Sequence, residues 1–419
     1  MTISRHPLVA SLLGARGNPR AGMYTEPLWG IPFNLYAPFA SVYMLALGVT
    51  EQTIGLIATI GLALQMITSI LGGPITDKLG RKRATFIFDT ISWSIPTLMW
   101  ALAQNATWFY LAAIVNSMLR ITMTSWTCLF IEDAPAGKVV HFWTWVHIAG
   151  IVAGFVTPLA GLLIERFELI PTMRAIYLFA FISMTAKFII LNAVATETSQ
   201  GEVRLRETRD TSLAALVVES VRDIPRIFRS RGTLLAVSLL AMHAIYVTIR
   251  GTFFSVLLAE GLEMTAREIG LFPALRSVII LVVFFAVIPR LRQERHVGYL
   301  VAGIVLTIAS LVMLVLAPVR GLFVVSVSTV VEAFGAALLA PYIEGFVTAI
   351  VDPHHRARIL AVANTVVLAV ASPFGWIAGV LSAQAKGLPF VLAAGAMAVT
   401  LVVLLVANPE RQGRVPVED

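Results

Sequence analysis

Charge is scarce in this sequence. Only 13% of its 419 residues are Asp, Glu, Lys or Arg, while 58% are hydrophobic and mean hydropathy is +0.84. An ordinary soluble domain carries roughly 25% charged residues. A water-soluble globule of this length needs far more polar surface, so that class is excluded. Cysteine is nearly absent as well. The single Cys128 excludes an intrachain disulfide, and its place in an apolar run fits a small buried hydrophobe. There is no Walker-type phosphate loop, which argues against direct work by ATP. No Cys/His array offers a metal site, and His354–His355 beside Arg356 reads as a turn. No Ser/His/Asp set stands in a region large enough for catalysis, so the chain reads as a non-enzyme without cofactor or metal.

What is present is apolar sequence in runs of roughly 20 residues, the length that crosses ~30 Å of hydrocarbon as a helix. Short alternating segments, the mark of a transmembrane barrel, are missing. The pattern predicts an all-α membrane protein of twelve spans, near 24–47, 52–72, 84–104, 107–131, 141–164, 172–194, 232–258, 268–288, 298–317, 321–349, 358–382 and 388–407. A connection at 195–231 divides them six and six. The segments are then a tail at 1–23, a first bundle at 24–194, the central loop, a second bundle at 232–407 and a tail at 408–419. The first tail, with Arg5 and a short apolar core but no clean cleavage site, reads as an uncleaved cytoplasmic lead-in.

The net charge of +7 suggests topology rather than nucleic acid as its cause. With both termini inside, the inner segments hold 22 Lys/Arg and the outer loops five: Arg166, Arg174, Arg267, Arg320 and Lys386. That asymmetry places both termini in the cytoplasm. The central loop alone carries Arg204, Arg206, Arg209, Arg222, Arg226, Arg229 and Arg231, a composition suited to anionic lipid.

The halves repeat. "TEQTIGLI" from Thr50 and "TAREIGLF" from Thr265 lie 215 positions apart, as do Pro158 and Pro373 in small-residue contexts. Asp133–Pro135 has a looser echo in Asp352–Pro353. Several matches at nearly one offset predict two related six-helix halves.

Between spans two and three runs "GGPITDKLGRKRA", Gly72–Ala84. Its glycines permit a tight turn, and its cations hold the loop at the cytoplasmic headgroups. Asp77 is not needed for topology and calls for a partner. The spacing Gly73-x-x-x-Asp77-Lys78-x-Gly80-Arg81-Lys82 resembles the signature loop of the major facilitator superfamily. The counterpart in the second half, Ile288–Val297, keeps bases but lacks the glycines and the acid. The resemblance implies alternating access around a central site lined by spans one, four, seven and ten. It also implies that Asp77 helps latch the two halves at the cytoplasmic side, favouring an outward-open state.

Ionisable groups inside a bilayer cost at least ~2.5–3.5 kcal/mol each, so each needs a reason. The sequence has Asp89, Arg120, His147, Lys187, Arg250, Arg276, Glu332 and Glu344 within spans. His243, Tyr246, Arg250 and Phe254 share one face of span seven. Asn116, Arg120 and Met123 lie together on span four, Ser328, Glu332, Gly335 and Tyr342 on span ten, and Asn34 and Tyr36 at the middle of span one. Arginine binds carboxylate or phosphate with a planar fork. Arg120, Arg250 and Arg276 are therefore candidates to hold an anionic solute, with Arg120–Glu332 an alternative pair across the halves. Proton coupling points first to Glu332, then to Asp89 and His147. Span five, "GIVAGFVTPLAG", loosely resembles an antiporter motif but reads as close small-residue packing around Pro158. Trp126, Trp143 and Trp145 read as interfacial anchors.

The expectation is a monomeric secondary active transporter, plausibly a symporter, in a prokaryotic-type inner or plasma membrane. It would carry a small polar organic solute, anionic or sugar-like, with protons or another coupling ion, and with no nucleic-acid partner. Multidrug efflux is the rival within transport; a transport-dead receptor is the rival from another class, though the central loop is small for a signalling domain.

Overall fold

Helix is the only regular structure among the described residues, which in this computed structural model are 7–221, 231–291, 296–350 and 356–407. In chain order come α1 (Pro7–Leu13), α2 (Gly17–Thr25), α3 (Pro27–Tyr36), α4 (Ala40–Ala46), α5 (Glu51–Leu79) and α6 (Arg81–Asp89). Then follow α7 (Ile95–Leu102), α8 (Ala106–Asn116), α9 (Leu119–Ile131), α10 (Val139–Ala153), α11 (Thr157–Phe167) and α12 (Leu169–Val194). The connection predicted as a loop contains α13 (Ser199–Glu207) and α14 (Leu213–Val221). The rest comprises α15 (Arg231–Val256), α16 (Ala266–Val282), α17 (His296–Val315), α18 (Leu322–Ile350), α19 (Arg356–Gln384) and α20 (Leu388–Ala407).

Ten helical stretches among the described residues are long and apolar enough to cross a bilayer. The predicted spans near 24–47 and 84–104 are helical but fall outside that set, for visible reasons. The first is divided by a 3-10 turn at Ala37–Phe39 and carries Pro27, Pro32 and Pro38. The second opens on Arg81, Lys82 and Arg83, carries Asp89, and widens into a π turn at Thr90–Ser94. Both repeats of the Thr-led motif start helices as N-caps. Thr50 Oγ1 accepts from the Thr53 N–H at 3.3 Å, and Thr265 forms a full capping box with Glu268.

The largest fully buried side chains are aromatic and come from both parts of the chain, Tyr43, Phe109 and Tyr177 with Phe253, Phe272 and Phe390. The outer surface is also apolar: Ile182, Phe285 and Val402 are 59%, 60% and 58% exposed. Water would not tolerate such a surface; a lipid chain does.

Among the described residues the two most extensive helix crossings between the parts are α5 with α19 and α11 with α16. Glycine makes both possible. A Cβ on Gly55 would stand 2.9 Å from Gly379 Cα, and one on Gly161 would stand 3.0 Å from Arg267 Cα. Thr59 Oγ1 donates to the Ser372 carbonyl at 2.7 Å and accepts from the Trp376 N–H at 2.8 Å. An ion pair between Glu51 and Lys386 closes the end of the first crossing. Both close approaches lie toward the same end of the molecule, the end away from Arg81.

The stretch Gly72–Ala84 departs from the predicted turn. Helix α5 continues through Pro74 to Leu79, and the chain reverses at Gly80 alone, with φ 82°. Gly72 instead serves packing: a Cβ there would meet Thr124 Oγ1 at 2.7 Å. Glu197 caps the new helix, accepting from the N–H groups of Arg81 at 2.9 Å and Lys82 at 3.1 Å.

Candidate solute site

Span seven meets its charge within its own half. On α15 the predicted face of His243, Tyr246, Arg250 and Phe254 turns toward α16 and α18. There Glu332, 3% exposed, accepts from Arg276 Nε at 2.9 Å and from the Tyr246 hydroxyl at 2.5 Å, with Arg250 Nη2 at 3.2 Å. The Arg250 guanidinium also lies over the Phe254 ring, 4.7 Å from its centroid. His243 packs beside Tyr246, its Nδ1 buried without a hydrogen-bond partner. Two guanidiniums thus share one carboxylate, and the cluster keeps one surplus positive charge. Arg276 and Arg250 keep part of their side chains open, 36% and 19%, whereas Glu332 retains 4%.

The predicted pair of Arg120 with Glu332 does not form. Arg120 lies on α9 and Glu332 on α18, whose carboxylate is filled by its neighbours on α15 and α16. Arg120 Nε donates to Gln65 Oε1 at 3.0 Å and Nη1 approaches Met123 Sδ at 3.7 Å; no ion pair is found for it among the described residues.

Beside Arg120 lies a cavity of about 390 Å³. Phe33, Trp93, Trp100 and Tyr177 supply ring surface, Gln65 and Asn116 supply amides, and among the described residues no charged side chain lines it. Tyr36 also lines it, 4.7 Å from the Tyr177 ring. What α15 contributes is Thr248 and Thr252, roughly half a helical turn round from Arg250. The cavity therefore draws on spans one to four, six and seven, and Arg250 and Glu332 lie outside its lining. Gln65, Trp93, Trp100 and Thr248 escaped the sequence reading. Gln65 had a signal, a lone amide midway along an apolar run.

Other predicted residues serve local structure. Asn34 Nδ2 donates to the Gly30 carbonyl at 2.8 Å within its own helix, and Asn116 Nδ2 to the Ser92 carbonyl at 2.6 Å. Asp89 is buried and accepts from the Thr122 hydroxyl at 2.8 Å. His147 is exposed on α10, its Nδ1 2.8 Å from the Trp143 carbonyl oxygen. Lys187 pairs with Glu26 at 2.8 Å between the rings of Trp29 and Trp126. The side chain of Glu344, the His354–His355 pair and Asp352–Pro353 lie outside the described residues, as do Arg222, Arg226 and Arg229.

Asp77 finds its partners on its own side of the molecule. It accepts from Arg81 at 2.9 Å and from Arg204 on α13 at 2.7 Å. Arg81, 5% exposed, also reaches Glu132 at 3.1 Å. Hydrogen bonding to Asp77 holds the Arg204 pKa above its ordinary value. Among the described residues these contacts tie the central connection to the first half. Gly73 faces open space and makes no such contact. Among the described residues no group of His, Cys, Asp and Glu is placed to hold a metal.

The profile of the Major Facilitator Superfamily matches residues 29–319. No curated protein matches the chain in sequence. Among solved structures, the nucleoside transporter NupG is similar at 15% identity and TM-score 0.70, covering 93% of this chain and 99% of its own. The peptide transporter POT in complex with sulfate is similar at 13% identity and TM-score 0.67, with 95% of each chain covered. A POT family transporter in complex with 5-aminolevulinic acid follows at 15% and 0.64, with 94% of each covered. At such identities the likeness is one of fold.

Proposed function

Since the chain belongs to the major facilitator superfamily, we propose that it is a secondary active transporter that moves a small organic anion by alternating access. Twelve spans in two six-helix bundles, 24–194 and 232–407, would form the two moving bodies. Both termini and the Gly73–Lys82 loop would face the cytoplasm of a cell membrane. The close crossings at the opposite end then correspond to a carrier shut on its outer side.

The observation that carries the anion reading is the charge balance. Arg250 and Arg276 share the single carboxylate of Glu332, and Arg120 has no ion pair among the described residues. A solute bearing a carboxylate or phosphate would meet that surplus. A neutral sugar would not, and a lipophilic cation would be repelled. Proton coupling fits Asp89, which among the described residues accepts from the Thr122 hydroxyl only, better than Glu332, whose oxygens already meet three donors.

The test is thermal melting of the purified protein in detergent against sugars, dicarboxylates, sugar acids, phosphate esters and lipophilic cations. A ligand at 100 times its Kd adds ~2.7 kcal/mol. Stabilisation by anions, lost in Arg120→Ala, supports the reading. Stabilisation of both forms by neutral sugars or by cations overturns it.

A further inference from the structure

We propose that the solute is an anion built on a planar aromatic ring, seated with the ring in the cavity of the first half and its acid group at Arg120. This rests on the anion reading above and specifies the part of the solute that charge alone does not determine.

The cavity and the guanidinium adjoin. Gln65 lines the cavity and accepts from Arg120 Nε at 3.0 Å, while Asn116, which also lines it, lies one helical turn before Arg120. A solute in the cavity therefore has a cation at its rim and none along its walls. The walls suit a flat ring. Phe33 stands edge-on to Trp93 at 6.1 Å, and Trp100 lies 5.1 Å from Tyr177 and 4.6 Å from Phe109. Phe33, Trp93 and Trp100 are only partly buried, so part of their surface has no protein neighbour. A volume of about 390 Å³ falls at the lower end of small-molecule sites. That size accommodates one or two fused rings rather than a long chain.

A second feature points the same way. The Tyr177 hydroxyl is buried beside the cavity without a hydrogen-bond partner, a state native proteins rarely leave unexplained. A polar substituent on the ring would satisfy it after a small side-chain adjustment. Gln65 and Asn116 each spend one amide atom on Arg120 and on the Ser92 carbonyl, and the other amide atom of each, with the hydroxyls of Thr248 and Thr252, is left to meet polar groups on the ring. Aromatic faces with a few placed polar groups are what orient a ring.

The experiment is calorimetric titration of the purified full-length protein with three probes: 4-hydroxybenzoate, its neutral amide 4-hydroxybenzamide, and succinate. Wild type is expected to bind 4-hydroxybenzoate at least tenfold more tightly than either of the others. Trp93→Leu is expected to weaken 4-hydroxybenzoate about tenfold while leaving succinate unchanged. Arg120→Gln should bring 4-hydroxybenzoate down to the level of the amide. The order of the probes in wild type needs no variant, so a misfolded Trp93→Leu leaves the test intact. Equal binding of succinate and 4-hydroxybenzoate overturns the ring proposal while leaving the anion reading in place. Equal binding of the amide and the acid, with Arg120→Gln without effect, overturns both.

Discussion

The two halves of this transporter treat arginine differently. In the second half Arg250 and Arg276 converge on Glu332 from adjacent helices, and Tyr246 completes the carboxylate's shell. In the first half Arg120 has an amide and a thioether for company. One arrangement meets its two guanidiniums with a carboxylate and keeps one positive charge over; the other has no carboxylate partner among the described residues. A buried charge is not in itself a sign of binding, and what distinguishes the two regions is the partner inventory.

The largest way to break the contrast is Glu332→Gln. It leaves two guanidiniums facing one another without a carboxylate, and removal of one partner from a buried pair costs about 3–5 kcal/mol. Thermal melting should show a steep loss. Arg276→Gln in the same background should recover part of it, measurable as a double-mutant cycle. Next is Arg120→Ala. Melting without ligand should fall by no more than the about 1.5–3 kcal/mol of one charged-group hydrogen bond, that to Gln65, because no ion pair is lost, while the ~2.7 kcal/mol given by a saturating anion disappears. Equal damage from both variants would erase the distinction. Tyr246→Phe comes third. It removes one hydrogen bond to a charged group and should cost about 1.5–3 kcal/mol in wild type and far less in Glu332→Gln. The smallest effect is expected for Arg204→Gln. Its pair with Asp77 is at the edge of the protein, 34% open on the arginine side, and Asp77 keeps Arg81, so the loss should be under about 1 kcal/mol and should shrink further in high salt.

Much of the fold was legible because hydrocarbon imposes length and apolarity on every spanning helix, and the repeated stretches from Thr50 and Thr265 both prove to be helix starts. The sequence was less informative where those rules are relaxed. Residues 27–46 are helical despite three prolines, and residues 81–102 despite a charged start. The central connection was read by its charge, yet α13 is held by Asp77, Glu132 and Asp133, acids distant in sequence. The sequence placed His243, Tyr246, Arg250 and Phe254 on one helix face, but it did not show which partners they meet. Periodicity gives the face a residue occupies and not the rotation of its helix in the bundle. So Arg250 was placed on the right face of α15, while the cavity opened on the opposite one, at Thr248 and Thr252.

The glycines at the α5–α19 crossing have a mechanical consequence. No side chain separates the two backbones at Gly55 and Gly379, so there is none to swing aside, and relative motion at that point is confined to tilting. Helix α5 is 29 residues long, and from Gly55 to its far end is a rigid arm of about 36 Å. A tilt of about 10° about the crossing sweeps the Asp77 end through about 6 Å, the scale on which a passage for a small molecule opens or shuts. In the rocking motion proposed above, the crossing would act as the fulcrum, with Gly73–Lys82 at the end of its lever.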